Sequence, residues 1–128
     1  MSDIAIAFRK DMIARSTLAL VLGTGVHVDE LPQNVVFPCV RIEVVSDYPK
    51  ATNSGTGLGR ATLQLNVIDN DRVTAGNVAE LIRTTYDGYT GMIGEFKTRV
   101  LARNLTSDWI ENAKLFVRMV EVDVGYVR

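Results

Sequence analysis

Three glycines at alternate positions, Gly55-Thr56-Gly57-Leu58-Gly59, are the residues most suggestive of ligand chemistry. Backbone amides freed of side chains can approach a phosphate. A dinucleotide or Walker-type cradle, however, needs its glycines to leave a strand and open a helix. Here the glycines precede a strand-like alternation, and the Walker Lys-Ser/Thr pair is missing. A hairpin tip is the expected role. Asp69 and Asp71 with Glu80 resemble a calcium loop, but Val73 and Thr74 stand where an oxygen ligand and a glycine are required. These carboxylates read instead as helix caps and dipole partners. His27 and Cys39 are the only residues of their kinds, which supports neither a zinc site nor a Cys-His nucleophile pair. The expectation is a partly packed His27 and a buried, inert Cys39 thiol. No Gly-x-Ser-x-Gly elbow occurs. The residues assemble no active site, so the chain reads as a non-enzyme with no cofactor and no metal.

The elements that would carry these residues follow from periodicity. Ile4, Phe8 and Met12 predict a first helix capped by Ser2 or Asp3. A short helical piece restarts at Ser16 or Thr17 and ends at Leu22-Gly23. Val26-His27-Val28 is a short extended segment. Phe37-Pro38 opens a strand from Cys39 to Val45, with Val40, Ile42 and Val44 on one face and Arg41 and Glu43 on the other. Ala61, Leu63, Leu65 and Val67 alternate with Thr62, Gln64 and Asn66 in a second strand. Asp69-Asn70-Asp71 caps a second main helix, with Ala75, Ala79, Ile82 and Tyr86 facing inward and Asp87-Gly88 ending it. Gly91 and Gly94 bracket a turn. Strands follow at Glu95 to Leu105 and Lys114 to Tyr126, joined by a loop through Asn112. The expected fold is α+β, with four main strands in an antiparallel or mixed sheet and two helices on one face. Its other face would carry Thr62, Gln64, Asn66, Glu121 and Asp123, solvated or facing a subunit. One domain spans 1–128, with a flexible hairpin loop at 46–60.

Composition limits the partners. The 128 residues suit one core and are 47% hydrophobic, with a net charge of -1. That charge argues against a strong grip on nucleic acid or on an anionic membrane. One cysteine allows no internal disulfide and fits a reducing compartment such as cytoplasm. No signal peptide is expected at the start, and the run Leu18 to Leu22 is too short to span a bilayer.

What remains are candidates for contact. Trp109 and Ile110, with Glu111, fall in the polar loop after the third long strand, where they form an interface hot spot or fold back over the sheet end. Arg99, Leu101 and Arg103 share a strand face, with Arg118 as a candidate neighbour. They form either a solvated face balanced by Glu121 and Asp123 or an intersubunit ion-pair surface. The loop of 46–60 contributes Tyr48, Lys50, Asn53, Leu58 and Arg60.

The ordered features resemble the tail completion or tail terminator proteins of long-tailed phages and phage-like gene transfer particles. They are Leu22-Gly23, Leu31-Pro32-Gln33, Phe37-Pro38-Cys39-Val40, Gly57-Leu58-Gly59-Arg60-Ala61 with Leu63-Gln64-Leu65, Tyr86-Asp87-Gly88-Tyr89, and the strand Leu115 to Val124. The resemblance covers nearly the whole chain. It implies a structural virion protein of the tail neck, assembled in the host cytoplasm as a ring, commonly hexameric. The ring would cap the head-proximal end of the tube of major tail protein and dock the head–tail connector, with DNA passing through its lumen without specific binding. The hairpin of 46–60 would be an arm anchored by Tyr48, Leu58 and Arg60. Another connector ring, a stopper or adaptor, is the alternative, followed by a small ligand-binding module.

Overall fold

The computed structural model describes residues 3–50, 58–110 and 114–127, apart from the side chains at 49, 50, 58, 106 and 108. Alternation of apolar residues makes strands dominate. Among the described residues they are β1 (Val26–Val28), β2 (Cys39–Lys50), β3 (Leu58–Asp69), β4 (Thr90–Ile93), β5 (Phe96–Ile110) and β6 (Leu115–Val127). They form one six-stranded sheet in the order β1-β2-β3-β6-β5-β4. β1 runs parallel to β2 and every other pairing is antiparallel.

The expected four strands and two helices are therefore corrected to a curled, sheet-dominated fold of six strands and three helices. The extra strands are the two edges. Val26-His27-Val28 is too short to show a period, yet it finds a partner in Val40 to Ile42. The expected Gly91–Gly94 turn is strand β4, and the chain reverses only at Gly94, whose φ of +59° suits glycine.

The helices are α1 (Asp3–Ala14), α2 (Ser16–Leu22) and α3 (Arg72–Tyr86). The Ile4, Phe8 and Met12 stripe of α1 is buried, as are Ala75, Val78, Ala79, Ile82 and Tyr86 of α3. They pack on one sheet face against Val40, Ile42, Leu63, Leu65, Val67, Val100, Val120, Val122 and Val124. Full burial of each large aliphatic side chain contributes about 1.5–3 kcal/mol. Helix α1 reaches both edge strands, so it spans the opening of the curl. Asp71 caps α3 by accepting from the Thr74 amide at 3.3 Å and hydroxyl at 2.6 Å.

The opposite face is not uniformly solvated. At one end Leu31, Val35 and Phe37 cover Cys39, Ile68 and Val117, with Leu115 and Met119 beside them. The rest is polar and internally bonded. Thr62 donates to Asp123 at 2.7 Å, Gln64 to Asn66 at 2.9 Å, and Arg103 pairs with Glu121 at 2.6 Å. Side chains also occupy carbonyls at both edges. Arg9 Nε donates to Val26 O at 2.6 Å, and the Tyr89 hydroxyl donates to Met92 O at 3.1 Å. Occupied edge groups discourage sheet-to-sheet pairing.

Candidate functional site

The segment of 46–60 divides on folding. Its ends are paired strand: Ser46 with Thr62, Tyr48 with Arg60, Pro49 with Gly59, and Lys50 with Leu58. Only the tip of 51–57, with Asn53, lies outside the described residues. The ladder passes a bulge between Val44 and Ser46, leaving Val45 exposed and setting Tyr48 and Arg60 on the polar face.

Strand β6 then joins this hairpin to the arginines of β5. Arg60 pairs with Gly125, and Gly125 pairs with Arg99. The two arginines thus stand roughly 10 Å apart across one strand that offers no side chain between them. Toward the tip, Leu58, Val127 and Lys97 form the next row, with Lys50 beyond Leu58. Tyr48 is 70% exposed, and Leu101 and Val127 are exposed as well. Neither Arg60 nor Arg99 has an ion-pair partner among the described residues. Tyr48, Arg60, Arg99 and Lys97 therefore form one basic, aromatic face at one pole of the sheet. Arg103, two rows away on that face, is tied to Glu121 by two hydrogen bonds.

Arg118 does not join them. It pairs with Ser107 across a second irregularity between Asn104 and Ser107, and its guanidinium lies against Gly76 of α3 on the helical face. The expected loop through Asn112 is also corrected. Trp109 and Ile110 continue β5, paired with Phe116 and Leu115 at the opposite pole. The Trp109 ring packs on Phe116 at 4.2 Å between centroids and stays 43% exposed. Glu111 lies outside the described residues. Periodicity missed this continuation because the bulge reverses the alternation that a strand search follows.

Gly59 has a different role from that of a flexible tip. A Cβ there would lie 2.3 Å from Cζ of Tyr126 and 2.4 Å from its hydroxyl. The ring covers the glycine and meets Phe96 edge-on at 5.2 Å, while its hydroxyl donates to Asp47 at 2.6 Å. Burial and the Asp47 bond push the Tyr126 hydroxyl up to about 12.

The other chemical candidates stay apart. Asp69 accepts from the Asp71 amide at 2.9 Å, and Asp71 caps α3. Glu80 is held down at about 2 by hydrogen bonds from Arg83 and Asn104. His27 sits beside Arg41 in the ladder, and desolvation with the nearby Arg9 lowers its pKa. Among the described residues no three His, Cys, Asp or Glu converge on a metal-sized site. None of their helices is long and apolar enough to cross a membrane.

Cys39 is fully buried, and burial with the nearby Asp69 raises its thiol to about 11. An unfolded thiol titrates near 8.5, so the stabilising contribution is complete below that pH and lost as pH rises through 11. Maleimide labelling at neutral pH is expected to be negligible in the native protein and rapid in urea. Fast native labelling would contradict the burial.

Residues 7–126 match the family model of tail completion protein gp17. The chain belongs to that family. This family member resembles a chain from the virion of a native gene transfer agent particle, with a TM-score of 0.73 at 15% identity over 98% of this chain and 95% of that one. A second solved structure matches with a TM-score of 0.52 at 22% identity, covering 99% of this chain and 95% of its own. At these identities the likeness is one of fold. No curated protein matches the sequence. A tail completion protein is a structural component of a phage-type tail, a class that is generally non-enzymatic.

Proposed function

We propose that this tail completion family member closes the head-proximal end of a tail tube as a ring, commonly six-membered, ending tube growth and presenting a dock for the head connector. The observation that carries the reading is bipolar. The Tyr48, Arg60 and Arg99 face occupies one end of the strands, and Trp109 with Ile110 occupies the other. A tube grows by heterologous stacking, which does not close by itself. A terminator therefore needs one surface for the last tube ring and a different one that refuses further tube protein. Occupied edge carbonyls support lateral contact through side chains rather than through a continued sheet. Six modest contacts made together give avidity without a large interface per subunit.

The hairpin of 46–60 serves as the arm toward a neighbouring subunit or the tube protein, with Tyr48, Leu58 and Arg60 as anchors. Lys50, Asn53, Arg99, Arg103 and Glu111 remain contact candidates. DNA passes through the lumen of the ring, and a net charge of -1 avoids strong retention of it. The place of action is the neck of the virion, after assembly in the host cytoplasm.

Electron microscopy of tails assembled without this protein tests the proposal. Overlong tubes lacking heads are expected. Tubes of normal length joined to heads would overturn it, and tubes of normal length without heads would favour a stopper or adaptor ring.

A further inference from the structure

Beyond the ring, the helical face at the Trp109 pole carries a groove with its own character. One cleft of about 280 Å³ is lined by Arg72, Ser107, Trp109, Phe116, Val117 and Arg118. A second, of about 510 Å³, runs along α3 past Val73, Gly76, Asn77 and Glu80, and shares Arg72 and Arg118 with the first. The two clefts adjoin at Arg72 and Arg118, which line both.

Neither arginine has an ion-pair partner among the described residues. The acid in the groove, Glu80, is already occupied by Arg83 and Asn104. Apolar surface flanks the charges: Val73 is 66% exposed, and Trp109 shows nearly half its surface. We infer that this groove docks an extended, carboxylate-bearing segment of a partner protein, with an aliphatic side chain seated beside Trp109 and Phe116. Arginine suits this task because its planar fork can grip a carboxylate through two parallel hydrogen bonds. Nucleic acid is disfavoured. Two guanidiniums offer few phosphate contacts, and the exposed Val73 beside them suits an aliphatic side chain.

Trp109 is the only tryptophan, so its fluorescence reports on the groove without a label. The full chain is titrated with a short peptide of alternating Glu and Leu, its Lys-Leu counterpart, and an oligothymidylate of equal charge. A saturable change with the Glu-Leu peptide alone is expected, weakened at least tenfold by raising salt from low to half-molar. Arg72→Glu, at an exposed position, is expected to weaken it by a similar factor. Arg118→Lys keeps the charge and the packing against Gly76 but loses the fork, and is expected to weaken binding less. Equal responses to both peptides, tighter binding of the oligothymidylate, or an Arg72→Glu variant that titrates as the parent would each overturn the assignment. Because the readout needs no tube, it stands or falls separately from tail termination.

Discussion

Gly59→Ala is expected to destabilise the fold by about 2–3 kcal/mol, although alanine is an ordinary strand residue and the new methyl group is small. The new Cβ would overlap Cζ of Tyr126 at 2.3 Å. An exposed ring would swing away at little cost, but this one is 8% exposed and held at both ends. Its hydroxyl is bonded to Asp47 at 2.6 Å and its edge packs on Phe96. Moving it breaks that bond and opens a void beside Phe96. For a domain of this size the loss corresponds to roughly 10 °C in Tm, readable by calorimetry. A double-mutant cycle with Tyr126→Leu assigns the cause. Once the ring is removed, Gly59→Ala is expected to cost less than about 0.5 kcal/mol, and an undiminished cost would show that the strain lies elsewhere.

Tyr86→Ala is expected to cost about 3–5 kcal/mol, the range for deleting a fully buried aromatic side chain. Tyr86 is wholly buried at the end of α3, with its ring 4.5 Å from Phe8 of α1. Its hydroxyl donates to Asp11 at 2.7 Å, and Asp11 also pairs with Arg15 at 2.7 Å. The Arg15 guanidinium in turn lies 4.8 Å from the centroids of both Tyr86 and Tyr89. One side chain therefore ties α1, α3 and the approach to β4 together. Burial and the Asp11 bond push the Tyr86 hydroxyl far above the usual phenol range, so it remains a donor at any ordinary pH. Tyr86→Phe keeps the packing and removes only the donor, with an expected cost of about 1 kcal/mol. Denaturant melts of the two variants check both values. Similar losses would mean that the hydroxyl, rather than the ring, dominates.

Both predictions depend on contacts between residues far apart in sequence, and this marks how far the sequence could be read. The helices were legible because burial imposes a period of about 3.6 residues, and Ile4, Phe8, Met12, Ala79, Ile82 and Tyr86 keep to it. The central strands were legible because one buried face imposes a period of two, clearest in Ala61 to Val67 and in Val120 to Val124. The edge strands β1 and β4 are too short to display a period and exist through their partners. The reach of β5 to Ile110 was hidden by the irregularity between Asn104 and Ser107.

The candidate surface shows the same limit. Trp109 stood out as an aromatic residue among polar ones, and Tyr48, Arg60 and Arg99 were named only as contact candidates. Periodicity could not show that β6 sets Arg60 and Arg99 on either side of Gly125, or that Arg118 turns to the helical face. Local sequence alone determined the amphipathic elements and the Asp71 cap of α3, because each depends on neighbours within a few residues. Tertiary structure decided strand order, the two poles and the purpose of Gly59, because register across a sheet is set by packing between segments that the sequence places far apart.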